Sequence, residues 1–322
     1  MRILVTGGFG FLGGRLIQYL LRNKEYHVFA GTRKKIEPDS LPPFFRGVNV
    51  VTTVWSSAEQ LESVCNDVDL IIHLAAMDAH ESLKDPVGAL EMNAVSTVRL
   101  LEAAVKNKVK RFIYLSTANI YGSHMTGEID EDHIAKPTHP YATSHKAAED
   151  VVWAANRLEK IEGIILRLSN SFGTPAQKEA NCWNLLIPEL CKQAVLNNAL
   201  VLRSHGLQKR DFIPISDACR AIGHFINLPK ELLHDGIFNV GGEYSPSVWE
   251  IACKVQKRFK DLFHKDVEII RPPIGPNDRD EPLRYKIDLL RKTGFELTSS
   301  IDNEIDELLR FCKANFYGRI EG

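Results

Sequence analysis

No Cys-x-x-Cys pair occurs in the sequence: its six cysteines stand apart at positions 65, 182, 191, 219, 253 and 312. That scatter argues against a thiol redox motif or a zinc site, and the thiols are expected to be reduced and mostly buried. Excess charge is also missing. With 40 Lys+Arg against 41 Asp+Glu, nothing global selects nucleic acid or an anionic membrane surface, so no nucleic-acid or membrane partner is expected. No apolar run approaches the roughly 20 residues that span a bilayer. The N-terminus passes from Met1-Arg2 through three apolar residues and Thr6 into glycines, without the apolar stretch of a signal peptide, which predicts a cytoplasmic protein. Repeats and low-complexity segments are absent. His124, His133 and His139 crowd one loop but lack ligand spacing, so no metal is expected.

What is present is an ordinary globular composition, 44% hydrophobic and 25% charged over 322 residues, long enough for two lobes and without a signature of disorder. Short β-branched runs at 2–6, 27–31, 48–52, 69–74 and 111–116 alternate with helical periodicity at 11–22 and 86–106. A helix is predicted from 141 to 158 and a buried strand at 163–168. This alternation predicts an α/β fold: a doubly wound parallel Rossmann sheet with a smaller α/β substrate lobe. After Asn170 the regularity breaks into helical pieces and short strands near 200–203, 212–215 and 238–240, and the tail from 302 to 316 reads as an amphipathic helix. The expected division is 1–169 plus about 215–245 for the dinucleotide domain, with about 170–214 plus 246–322 for the substrate lobe.

The chemistry starts at the first strand-to-helix turn. Gly7, Gly8, Gly10 and Gly13 sit where a dinucleotide pyrophosphate needs close backbone approach and free N–H groups at a helix N-terminus, here those around Gly10, Phe11 and Leu12. The second strand ends in Gly31-Thr32-Arg33-Lys34, where an NAD enzyme normally carries an acid for the ribose hydroxyls. Arg33 offers a planar fork to a 2′-phosphate, Lys34 a second charge and Thr32 an extra donor, so NADP is the expected cofactor and NAD the alternative.

These residues, with His73-Leu74-Ala75-Ala76, Asp85-Pro86, Asn93, Leu115-Ser116-Thr117-Ala118-Asn119-Ile120-Tyr121-Gly122, Pro140-Tyr141, Asn170-Ser171-Phe172-Gly173, Arg210-Asp211-Phe212-Ile213 and Asn239-Val240-Gly241, resemble the extended short-chain dehydrogenase/reductases that act on nucleotide sugars. The resemblance covers nearly the whole chain. It implies that Thr117 and Tyr141 bracket the reacting sugar carbon, the phenol carrying the hydroxyl proton while hydride moves to or from nicotinamide. It adds Leu74, Ala75, Ala76 and Asn93 to the cofactor residues, and Asn119, Asn170, Asn184, Arg210 and Arg279 to those for the nucleotide sugar. A homodimer through the helices starting near Pro86 and after Tyr141 is implied as well.

The chain departs from the family four residues after the tyrosine. The family has lysine there, lowering the phenol pKa and bonding the nicotinamide ribose; this chain has His145, then Lys146. At about 100° per residue, position four lies about 40° from Tyr141 and position five about 140° away, so Lys146 is expected to point off the site. Either His145 stands in for the lysine, favouring phenolate only when protonated, or Tyr141 is no longer a strong base. Family dehydratases follow the threonine with an Asp-Glu pair, where this chain has Ala118 and Asn119. The expectation is therefore NADPH-dependent reduction of a keto sugar, with two alternatives: an epimerase that retains NAD, and a catalytically impaired dinucleotide-binding protein.

Overall fold

Ile3, Leu4 and Val5 are fully buried in the first strand, β1 (Arg2–Thr6). Consecutive apolar residues cover both faces of a central parallel strand. The computed structural model describes residues 1–33, 41–42, 45–276 and 278–317. After β1 come α1 (Phe11–Leu20), β2 (His27–Thr32), β3 (Asn49–Thr52), α2 (Ala58–Cys65), β4 (Leu70–His73), α3 (Ala79–Lys84) and α4 (Pro86–Ala89). A π turn (Leu90–Val95) joins α4 to α5 (Ser96–Lys106); then follow β5 (Arg111–Thr117), a 3-10 turn (Ala118–Tyr121), β6 (Gly127–Ile129), α6 (Pro140–Arg157) and β7 (Glu162–Leu168). The remainder runs β8 (Asn170–Phe172), α7 (Leu186–Asn197), β9 (Ala199–Val201), β10 (Phe212–Pro214), α8 (Ile215–His224), β11 (Ile237–Val240), α9 (Val248–Phe263), β12 (Glu268–Ile270), β13 (Leu283–Tyr285), α10 (Asp288–Lys292) and α11 (Ile301–Phe316).

Seven strands form one sheet in the order β11-β7-β5-β4-β1-β2-β3, and each pairing in it is parallel. This is the predicted doubly wound sheet. The strand order reverses at β1, whose Thr6 lies opposite Gly31 of β2 and His73 of β4. Ligands of such sheets bind at that reversal, outside the carboxyl ends of the strands. Thr117 closes β5 on the same edge, opposite Leu168.

Apolar residues of α1 and α8 pack on one face of the sheet, and those of α2, α5 and α6 on the other. A separate core of the smaller lobe gathers Leu190, Cys191, Leu200, Phe212, Ile251, Val255, Leu308 and Leu309. Residues 283–295 return from this lobe to the sheet: Tyr285, Ile287 and Leu290 are buried in the core that includes Ile3 and Val5. All six cysteines are free thiols and all but Cys253 are buried. Among the described residues, no helix is long and apolar enough to cross a membrane.

Two local differences from the sequence reading have identifiable causes. The predicted helix 86–106 contains a π turn, because the hydroxyls of Ser96 and Thr97 donate to the carbonyls of Glu91 and Asn93 at 3.0 and 2.6 Å, and such bonds distort the helical ladder. The strand expected at 212–215 ends at Pro214, which lacks the N–H needed to continue a ladder, and Ile215 opens α8.

Candidate active site

The turn after β1 is built for a ligand that approaches main chain. Gly7 has φ +69°, and a Cβ there would lie 2.9 Å from the amide nitrogen of Ala75; a Cβ on Gly13 would lie 2.1 Å from the Gly7 carbonyl oxygen. Glycine at these positions lets α1 start directly behind the β1 end and the chain after β4 pass close beside it. Gly10 is the N-cap of α1, with no side chain capping it and no acid in the first turn. The leading amides of α1, at Phe11 and Leu12, are thus left to a ligand at the positive end of the helix. A dinucleotide pyrophosphate fits this donor set. Leu74 and Ala75 line the other wall, their amides bonded to Thr6, and Ala76 beside them is exposed. At the end of β2, Thr32 is half-buried and Arg33 exposed; Lys34 lies outside the described residues.

A segment of the smaller lobe crosses this groove. Gln177 donates to the Phe9 carbonyl at 3.3 Å, and Asn181 donates to Asp78 at 2.6 Å. Asp78 in turn caps α3 through the Glu81 amide, beside Tyr141.

Tyr141 is the second residue of α6, behind the N-cap His139, whose Nδ1 accepts the Tyr141 amide at 3.2 Å. Pro140 at the first helical position presets the backbone there. The Thr117 hydroxyl acts on the phenol to lower its pKa, so the two residues singled out by sequence meet at the carboxyl edge of the sheet. Half-burial pushes Tyr141 up to about 12, against the lowering effect of the Thr117 bond, with the nearby Asp78 charge adding to the rise. The Thr117 hydroxyl also accepts the Asn119 amide at 3.2 Å, and Asn119 itself is exposed in the 3-10 turn.

His145 corrects one expectation. Its side chain is 2% exposed, and burial pulls its pKa down to about 3. It is therefore a neutral imidazole, not a cation standing in for lysine. Its Nδ1 lies 2.7 Å from the hydroxyl of Tyr114, and its Nε2 is buried without a partner among the described residues. Lys146 pairs with Asp150 one turn along α6, pointing off the site as the helical geometry predicts. Asn93, expected among the cofactor residues, is 1% exposed and spends its amide elsewhere. Its oxygen accepts the Met77 amide at 2.6 Å and its nitrogen donates to Ser144 at 2.9 Å, stitching the chain after β4 to α6.

The structure brings Asn184 and Arg210 together on one cleft of about 180 Å³, with Glu189, Arg203 and Gln208. Both are exposed. Asn170 lies on β8, its side chain donating to the Asp211 carbonyl at 2.9 Å, so that amide holds the segment between Arg210 and β10. Arg279 is exposed and, among the described residues, bonds backbone carbonyls of its own loop. That loop is tied to the segment leading to Arg210 by Lys209–Asp280 and His205–Asp278, each at 3.2 Å.

Sequence reasoning missed Tyr114, and the buried ion pair of Glu149 with Arg167 at 3.0 Å. A signal existed for the pair: Glu149 falls one helical turn after His145, on the inner face of α6, where a charge calls for a partner.

Comparison with known proteins follows the same outline. The chain is 28% identical over 238 residues to a putative UDP-glucose 4-epimerase of Methanocaldococcus jannaschii, spanning 73% of this chain and 76% of the relative. It is equally identical over 271 residues to the dTDP-D-glucose 4,6-dehydratase of Mus musculus, spanning 81% and 73%. Among solved structures, the UDP-glucuronic acid 4-epimerase of Bacillus cereus, in complex with UDP-glucuronic acid and NAD, superposes with a TM-score of 0.80 at 24% identity, covering 98% of this chain and 99% of that one. An NAD-dependent NDP-hexosamine 5,6-dehydratase involved in tunicamycin biosynthesis superposes with a TM-score of 0.79 at 28% identity, covering 97% and 98%. The profile of the NAD dependent epimerase/dehydratase family matches residues 3–241, and the chain belongs to that family.

Proposed function

We propose that the protein is a nucleotide-sugar epimerase that retains its dinucleotide, oxidising and re-reducing one sugar carbon with Tyr141 as proton carrier. The observation that carries this reading is the Thr117–Tyr141 pair brought together at the sheet edge, followed by Ala118 and Asn119 in place of two carboxylates. The pair can hold an alkoxide and move its proton, while elimination needs an acid and a base that these positions lack. When bound, the cofactor supplies the hydride acceptor and donor. Relatives with this fold include 4-epimerases, one of them in complex with NAD, which favours retained NAD over the NADPH reduction expected from sequence.

Thr117 orients the sugar hydroxyl, and Asn119 borders the sugar. Arg210, with Asn184 and Arg279, takes the diphosphate and nucleoside end, a role supported by its having no carboxylate partner among the described residues. Asn170 acts indirectly, by holding the segment that follows Arg210. The dinucleotide lies on Gly7, Gly10, Phe11, Leu12 and Gly13. The substrate lobe in this reading is 170–214 with 246–322, less the return at 283–295 that packs on the sheet. The apolar surface left by Leu83, at 62% exposure, Val87, at 68%, Leu90, Trp153 and Leu158 supports a homodimer through α4, α5 and α6. A cytoplasmic location belongs to the same reading, since six free thiols suit a reducing compartment.

One observation favours a second reading, net reduction with NADPH: β2 ends in Thr32 and Arg33 with no acid for ribose hydroxyls. Mass spectrometry of the dinucleotide released on denaturation separates the two. The epimerase reading expects NAD in near-stoichiometric amount. Bound NADP, with affinity lost in Arg33→Ala, would favour the reductase.

A further inference from the structure

Under Tyr141 lie two wholly buried side chains that the Thr117–Tyr141 pair does not use. Tyr114, on β5, and His145, on α6, are each 2% exposed and 2.7 Å apart at hydroxyl and Nδ1. Burial holds the Tyr114 phenol well above its ordinary pKa, so it keeps its hydrogen and needs an acceptor. His145 Nδ1 is the acceptor within reach. Were Nδ1 protonated, the Tyr114 hydrogen and the Nε2 lone pair would both be buried without partners. With the proton on Nε2, a single N–H is left over, which is the lesser cost. The His145 ring then stands T-shaped against the ring of Tyr141, centroids 4.4 Å apart.

The groups facing this histidine supply no free cation among the described residues. From α6 come Tyr141 and Glu149, the latter paired with Arg167. β5 contributes Tyr114, and β4 contributes His73. That residue is itself neutral, with Nδ1 2.6 Å from the Thr6 hydroxyl and Nε2 3.0 Å from Thr97.

We propose that Tyr114 is a positioning residue: by donating its hydroxyl to Nδ1, it locks His145 in the Nε2–H tautomer and fixes the neutral ring against Tyr141. A hydrogen bond at one imidazole nitrogen decides which nitrogen carries the proton. The family's lysine is thus replaced by a two-residue neutral unit, of which only the histidine is visible at the lysine position. The consequence for turnover rests on the epimerase reading; the tautomer does not.

The test uses the full chain labelled with ¹⁵N-histidine, the His145 signals being assigned by their loss in His145→Gln. Two-bond ¹H–¹⁵N spectra are expected to show a protonated Nε2 and a bare Nδ1, unchanged between pH 8.5 and 5.5. Tyr114→Phe is expected to convert the signals to a tautomer mixture and to lower kcat about tenfold at unchanged KM, the effect of losing the hydrogen bond that fixes the His145 ring against the reacting tyrosine. A protonated Nδ1 in the wild type, a His145 titration near pH 6.5, or an unchanged tautomer in Tyr114→Phe would overturn the proposal. If Tyr114→Phe fails to fold, the wild-type spectra decide alone. The expected tautomer together with no turnover of any nucleotide sugar would remove the epimerase reading and leave the lock standing.

Discussion

Asp211 turns its carboxylate away from its neighbour Arg210, accepting the amides of Gly242 and Tyr244 at 2.9 and 3.0 Å. The other nearby acid, Asp217, is taken by Arg220 and the amides of Thr298 and Ser299. Among the described residues neither neighbouring acid pairs with Arg210, and Glu189, which shares its cleft, is paired with Arg203. Arg210→Ala is expected to raise the KM for a nucleotide sugar by about 10- to 100-fold, the effect of losing a charge-assisted contact to phosphate, with dinucleotide affinity unchanged. Steady-state kinetics beside calorimetric titration of the cofactor check both halves.

Gly13 has the tightest clearance in the dinucleotide turn. A Cβ 2.1 Å from the Gly7 carbonyl forces the α1 start away from β1. Gly13→Ala is expected to cost about 1–3 kcal/mol of stability, as overpacked substitutions do, and to weaken dinucleotide binding at least about tenfold. Thermal melts with and without added NAD read both, and the ligand-induced rise in Tm should shrink.

The proton chemistry carries a pH signature. Tyr141 acts as base only as phenolate, and with its pKa raised to about 12 the phenolate fraction grows with pH throughout the neutral range. Turnover is expected to climb towards alkaline pH without a step near 6.5, because His145 stays neutral. Tyr141→Phe should lower kcat by about 10²- to 10⁴-fold, the usual worth of a positioned acid or base. Thr117→Val, which removes a bond that lowers the phenol pKa, should move the alkaline limb upward. His145→Lys, which restores a cation one helical turn from Tyr141, should move it downward and raise the rate at neutral pH.

Acid should unfold the protein through its buried histidines. His73 and His145 both have pKa values near 3 in the folded chain against 6.5 in an exposed imidazole. The unfolded chain therefore binds more protons below pH 6.5, and stability present above that pH is lost as pH falls towards 3, by up to about 1.4 kcal/mol per pH unit for each histidine. Denaturant melts from pH 7.5 to 4 check this, and His73→Gln should flatten the slope.

The sheet was legible because each of its strands is an apolar run bounded by turn residues, and the Gly7–Gly13 turn because close approach admits few alternatives to glycine. Thr117 and Tyr141 were legible through the family resemblance, which expects such residues at this strand end and this helix start. The fate of His145 was not, since whether a histidine carries charge depends on what surrounds it. Here that is Tyr114, 31 residues earlier on a strand, a pairing fixed by how α6 lies on β5. The same holds for the role of Asn93, whose partners Met77 and Ser144 come from two other segments. The return of residues 283–295 to the sheet depends on a three-residue strand, β13, pairing with β6 more than 150 positions away, beyond the reach of local periodicity.

The most direct test is an NMR assay of purified protein in D₂O with UDP- and dTDP-linked sugars, without added cofactor. One of them is expected to be converted to its epimer catalytically, with no solvent deuterium at the inverted carbon, because the hydrogen removed is the one returned. Deuterium at that carbon, conversion only with stoichiometric NADPH, or no conversion of any sugar by protein that retains its dinucleotide would contradict the proposed epimerase function.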